Sequence, residues 1–170
     1  MTSSFDSQQL TPEEISKSPF FADFDKQDLQ EVSKLLIVCK FKEGDYVIKE
    51  GEKAKNLYFI LQGYAKVLKQ NYQGNDELIS SLKPKHYFGE MALVSNRIRF
   101  ASVLAETELI VAKMAWDDFL NTFSKNPEVM TGALRHIAKT ISSRLAKTDA
   151  LYANILPGCK TKNSGQINSG

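Results

Sequence analysis

The chain has 170 residues, 42% of them hydrophobic and 25% charged, with a formal net charge of +2. That is material for one domain with a sizeable core plus tails, and the charge balance is too slight to argue for a nucleic-acid or membrane partner. The two cysteines, Cys39 and Cys159, are far apart and lack metal-ligand spacing, so no disulfide framework is expected and a reducing compartment fits better.

Residues 1–10 are expected to be a disordered tail; the first nine are polar and lack the basic-then-apolar layout of a signal peptide. Thr11-Pro12-Glu13-Glu14 reads as a helix start, with a capping hydroxyl, proline in the first turn and then acids. Ser18-Pro19 interrupts it. Asp25 opens a second helix predicted to run to Leu36, with Leu29, Val32, Leu35 and Leu36 at helical spacing.

From Ile37 the texture changes to short β-type runs separated by Gly, Pro and Asn. They cover 38–41, 46–48, 57–61, 65–68, 78–82, 102–105 and 109–114. The run 57–61 is almost continuously apolar, as in a strand buried on both faces. Cys39 is expected as a small buried hydrophobe, and Gln73-Gly74-Asn75 as a hairpin turn. Such spacing suggests a sandwich or barrel.

Helical patterning then resumes at 116–123 and, after Asn126-Pro127, over 128–155. On the long helix Met130, Leu134, Ile137, Ile141, Leu145, Thr148 and Tyr152 form one stripe at three- and four-residue steps. Pro157-Gly158 stops it, and residues 157–170 read as a disordered tail rich in Asn, Ser and Gly. The domain is thus expected over 11–156. No apolar run approaches the roughly 20 residues of a membrane helix, and a cytoplasmic protein is expected.

The segment Phe88-Gly89-Glu90-Met91-Ala92-Leu93-Val94-Ser95-Asn96-Arg97-Ile98-Arg99-Phe100-Ala101-Ser102-Val103 resists a purely structural reading. Glycine lets backbone approach a ligand. A short helix-forming run, 90–94, offers free N–H groups to an anion, and an arginine supplies a charge-assisted partner. Glu90 would repel phosphate but can accept from a sugar hydroxyl. The set suits a ligand with both sugar and phosphate; the alternative is a surface loop carrying an ordinary Arg–Glu pair.

This segment resembles the phosphate-binding cassette of the cyclic-nucleotide-binding domain family. Phe88-Gly89-Glu90, Ala92, Leu93, Arg99, Ala101, Ser102 and Val103 match its pattern, and the nine-residue step from Glu90 to Arg99 agrees. Upstream, Phe41 to Gly51 resembles the family's Phe-x-x-Gly-Asp signature, and Leu57-Tyr58-Phe59-Ile60-Leu61-Gln62-Gly63 its central strand. The resemblance implies an α+β fold, an eight-stranded antiparallel β-roll flanked by N-terminal helices and a long C-terminal helix. It implies that Glu90 takes the ribose 2′-hydroxyl and Arg99 the cyclic phosphate, with backbone N–H groups of Gly89 and Ala92 assisting. Phe88, Met91, Phe100, Ala101 and Leu82 complete the expected ligand contacts. Leu145, Thr148 or Tyr152 would close over the base as a lid, Tyr152 being the preferred candidate; core or dimer packing is the alternative for that stripe.

Phe100 departs from the family pattern, in which a small or hydroxyl residue follows the arginine. A Thr there accompanies cGMP preference, so Phe100 favours cAMP over cGMP; it could also crowd the pocket, stack on the base or turn away. Arg97 is a second phosphate contact or a solvated turn residue. Isolated His86 and His136 offer no metal set, and neither a cupin-type metal site nor a nucleophile–base pair is expected, so the chain reads as a binding module without catalytic activity or cofactor. Its expected partners are the nucleotide, a protein regulated through the terminal helix and, by that same helix, a second copy. A fragment of a cAMP-receptor-type transcription regulator and a ligand-free scaffold are the alternatives.

Overall fold

The computed structural model describes residues 10–93 and 97–155. Helix α1, Pro12–Ile15, starts on the predicted cap: Thr11 and Glu14 form a reciprocal capping box. A single 3₁₀ turn at Pro19–Phe21 leads to α2, Lys26–Leu35. Asp25 caps α2 through a second box with Asp28. Leu36 belongs to the first strand rather than to this helix, its backbone being extended.

Eight strands follow: β1 (Leu36–Phe41), β2 (Tyr46–Ile48), β3 (Asn56–Gln62), β4 (Ala65–Gln70), β5 (Asp76–Leu82), β6 (Tyr87–Phe88), β7 (Ser102–Ala105) and β8 (Leu109–Ala115). They form two antiparallel four-stranded sheets, ordered β1-β8-β3-β6 and β2-β7-β4-β5. This is the α+β roll of eight strands with flanking helices that the resemblance implies. The eighth strand, β6, escaped the sequence reading because two residues carry no periodicity. It pairs with β3 through Tyr58–Phe88 and Phe59–Tyr87.

β3 explains the two-sided core. Its alternate residues Tyr58 and Ile60 face the interior of the roll with Ile48, Ala65, Leu82, Phe88, Val103 and Val111. Leu57 and Phe59 face the other way, into a helical layer of Phe20, Phe21, Phe24, Val32, Phe119 and Ile137. Phe20 makes edge contacts with Phe21, Phe59, Tyr87 and Phe119 at ring separations of 4.8–6.0 Å. Cys39 is only partly buried, packing against the interior core from β1.

Helix α3, Trp116–Phe123, leads to α4, Pro127–Ile155. The buried face of α4 is Val129, Ala133 and Ile137, with Met130 and Ile141 partly covered. Leu134 and Leu145, assigned to the stripe by sequence, are exposed. Thr148 and Tyr152 lie on α4, but their side chains fall outside the described residues, as do residues 1–9 of the tail predicted over 1–10 and all of the tail predicted over 157–170. Leu10, predicted as tail, is instead buried in the core, because its apolar side chain packs with the helical layer. No described helix is long and apolar enough to cross a membrane.

Candidate functional site

The cassette leaves β6 at Phe88, turns at Gly89 and runs through a 3₁₀ helix, Glu90–Leu93. Over the described residues 90–93 the predicted helix-forming run is therefore a tighter 3₁₀ turn; its last residue, 94, lies outside them. The chain re-enters the roll at Arg99 and continues into β7. An isolated bridge between Lys53 and Ile98, and exchange of hydrogen bonds between Arg99 and the Gly51–Glu52 backbone at 2.9 Å, fix where Arg99 returns.

Arg99 is buried, with 5% of its surface exposed. Its Nη1 donates to the Gly89 carbonyl at 3.0 Å and its Nη2 to the Asn56 carbonyl at 2.9 Å. Its guanidinium carbon lies 5.7 Å from the Tyr58 ring centre, which itself stacks on Phe88. Burial pulls the guanidinium below its usual pKa, while Tyr58, Glu90 and Glu52 oppose that. Guanidinium has five N–H donors, and the two carbonyls leave others for an anion.

Glu90 is fully buried. One carboxylate oxygen, Oε1, accepts from Nη1 of Arg144 on α4, and Nη2 of Arg144 donates to the Tyr87 carbonyl at 2.8 Å. The other oxygen, Oε2, is buried without a hydrogen-bond partner among the described residues. Burial raises the carboxyl above its ordinary range, and Arg144 is the strongest influence drawing it back. A buried carboxylate with an acceptor unpartnered among the described residues, near a buried guanidinium that has more N–H donors than the two carbonyls take, can hold a hydroxyl and an anion of one ligand.

Gly89 is the backbone condition for this arrangement. Its φ is +91°, and a Cβ there would lie 2.6 Å from Arg99 Nη1 and 3.0 Å from the Asn56 oxygen. Gly89→Ala is expected to lower stability by roughly 1–3 kcal/mol through backbone strain alone and to displace Arg99 from its seat. Thermal melts would detect the first effect and ligand titration the second.

The other expected contacts are spread differently. Phe88 and Leu82 are core residues, 1% and 2% exposed. Met91 is on the exposed side of the 3₁₀ turn, and Ala101 is half-buried. Phe100 is 46% exposed, and its carbonyl accepts from Lys69 Nζ at 2.7 Å. Ala92 lies within the 3₁₀ turn; its side chain, like residues 94–96 and the side chain of Tyr152, is outside the described residues. Arg97 is an exposed turn residue, as one of its two sequence readings has it, and there it forms a bidentate pair with Asp117 of α3 at 2.9 and 2.6 Å. Arg144 was missed. Its signal was position: seven residues after buried Ile137, it shares the inward face of α4, where an arginine needs an acidic partner.

A family model described as the cyclic nucleotide-binding domain matches residues 38–126. Among curated relatives, the chain is 32% identical over 119 residues to a cAMP-dependent protein kinase regulatory subunit of Emericella nidulans, covering 70% of this chain and 28% of the relative. It is 30% identical over 125 residues to human cGMP-dependent protein kinase 2, covering 70% of this chain and 16% of that protein. The chain thus spans well under a third of either relative. A crystal structure of a cyclic nucleotide-binding domain from Methylobacillus flagellatus superposes with a TM-score of 0.72 at 20% identity, covering 86% of this chain and 81% of that one, a likeness of fold. The matched family model spans both the early-strand signature and the whole Glu90–Arg99 cassette, and the chain belongs to the cyclic nucleotide-binding domain family.

Proposed function

We propose that this chain binds cAMP in preference to cGMP at the Phe88–Val103 cassette and reports occupancy through α4. The observation that carries the reading is Glu90: a buried carboxylate whose Oε1 is held by Arg144 of α4 and whose Oε2 has no partner among the described residues. In this reading Oε2 accepts from the ribose 2′-hydroxyl, and Arg99 with the backbone N–H groups of Gly89 and Ala92 holds the cyclic phosphate. Met91, Ala101 and Phe100 border the ligand, Leu82 and Phe88 back it from the core, and Tyr152 approaches the base when α4 closes. Because Glu90 touches both ligand and α4, a ligand changes the contacts of that helix, which a population shift requires.

The output is a protein partner regulated through α4, for which kinase-associated relatives provide the precedent. Exposed Leu134 and Leu145 on α4 support self-association as a second route. No cofactor is required, and the ligand is the signal.

Calorimetric titration of the whole chain with cAMP and cGMP tests the proposal; no heat with either at high protein concentration would sink it. The ligand-free scaffold is the second reading, favoured by the internal partners that Arg99 and Glu90 already have. Phe100 offers no hydroxyl to guanine, so Phe100→Thr is expected to improve cGMP affinity relative to cAMP by up to about tenfold, the worth of one hydrogen bond. An unchanged ratio would remove Phe100 from base selection.

A further inference from the structure

The turn between β5 and β6 and the middle of α4 enclose an open-sided cleft of about 350 Å³. That volume is in the range of small-ligand sites. Lys85 and His86 of the turn face it from one side; Lys139, Ser143, Arg144 and Lys147 of α4 face it from the other. Lys139, Ser143 and Lys147 recur at four-residue steps on one helical face.

The charge in this cleft is one-sided. Four permanent cations line it and no carboxylate does. Arg144 is offset by Glu90, which leaves Lys85, Lys139 and Lys147. Among the described residues none of these three lysines is paired with a carboxylate, whereas Lys40, Lys66 and Lys69 all have acidic partners. His136, also on the lining, has an acid nearby, Asp23 at 3.5 Å, as Arg144 has Glu90.

The turn is also held in shape. Lys85 has a φ of +75°, in the left-handed region, and its N–H donates to the Ile60 carbonyl at 3.0 Å. Non-glycine residues rarely adopt that conformation unless the surrounding structure imposes it. His86 titrates below its ordinary value, first from burial and then from Lys83, Arg144 and Lys147, which registers the positive field.

We propose that this cleft is an anion site, separate from the Arg99 cradle, that takes a ligand bearing two or more linked phosphates. Three unpaired ammonium groups on the walls of one concavity exceed what a single monoanion can use and match a polyanion. Ser143 adds a hydroxyl donor. The same chemistry is found in soluble condensed phosphates and in polyphosphorylated lipid headgroups.

The test uses the whole chain at near-physiological salt, because exposed charges are screened. Inorganic tripolyphosphate is titrated by calorimetry and amide NMR, and cosedimentation is measured with phosphatidylcholine vesicles with and without phosphatidylinositol bisphosphate. At least one probe is expected to bind, with amide shifts in the β5–β6 turn and α4. Lys85→Glu with Lys139→Glu, both exposed, is expected to weaken that binding by at least about tenfold while leaving cyclic-nucleotide titration unchanged. Arg99→Ala is expected to leave it intact. Tripolyphosphate binding without vesicle binding identifies a soluble ligand; vesicle binding lost in the double variant identifies a headgroup. The inference is overturned if neither probe binds, if the double variant binds as the parent does, or if the shifts map to residues 89–101 and cyclic nucleotide displaces the probe.

Discussion

Arg99→Ala is expected to reduce cyclic-nucleotide affinity by about a hundredfold or more. Charge-assisted hydrogen bonds contribute roughly 1.5–3 kcal/mol each, and a guanidinium can make two to one phosphate. Removing them exceeds the ~1.4 kcal/mol that corresponds to each tenfold change. The same substitution also strips the Gly89 and Asn56 carbonyls of their donors, so a lower melting temperature accompanies the lost affinity. Arg99→Lys separates the two effects. It keeps the charge but loses the fork, so affinity should fall to an intermediate value. Titration of each variant, below its own melting transition, supplies the check. Parent-like affinity in Arg99→Ala would remove this residue from the site.

Arg144→Ala carries the second large expectation. It leaves the Glu90 carboxylate buried without its cationic partner, a change that typically costs about 3–5 kcal/mol. At roughly 2–4 °C per kcal/mol for a chain of this size, the melting temperature should fall by about 10 °C at neutral pH. The pH dependence identifies the cause. Glu90 has a folded pKa raised above 4.5 by burial, so the folded state binds this proton more tightly than the unfolded state. Its contribution is therefore most favourable below pH 4.5 and declines as pH rises from there through the folded value. Without Arg144 the folded value rises further, and the declining range extends toward neutrality. The Arg144→Ala penalty should thus be small at acid pH and largest near pH 7, and Glu90→Gln in the same chain should recover much of it. A penalty that is constant with pH would assign Arg144 to packing alone.

The link between Glu90 and Arg144 also offers the proposed signal a route from the cassette to α4. The carboxylate offers two oxygens, one engaged by the helix and one unpartnered among the described residues. In the proposed reading, a ligand hydroxyl arriving at Oε2 would alter the charge distribution that holds Arg144. Tyr87 strengthens the same joint: its carbonyl accepts from Arg144, while its hydroxyl donates to the His136 carbonyl at 2.8 Å and lies 2.6 Å from the Thr140 hydroxyl. β6 and the cassette are therefore joined to α4 at three successive turns of that helix.

Local chemistry made much of this protein legible in its sequence. The capping boxes at Thr11 and Asp25, the doubly buried β3 run and the ordered motifs around Gly44, Gly63 and the cassette depend on residues close in the chain. Their backbone preferences survive folding. Glu90 and Arg99 stood out because their spacing is part of one continuous motif, and both are buried.

What escaped depended on approach between distant elements. The stripe on α4 was drawn through large side chains, Leu134 and Leu145, yet the helix turns the smaller Val129 and Ala133 inward. The reason is close passage: at Gly132 a Cβ would lie 3.1 Å from Asp23, so small residues face the chain there. That orientation brings Arg144 onto Glu90, 54 residues earlier in the chain. It also brings Lys139 and Lys147 over Lys85 at one cleft. Sequence alone marked Glu90 and Arg99 as the residues expected to hold a sugar and a phosphate. Only the tertiary structure decided that α4 is fastened to that site, because burial of a carboxylate calls for a cation and packing alone selects which cation can reach it.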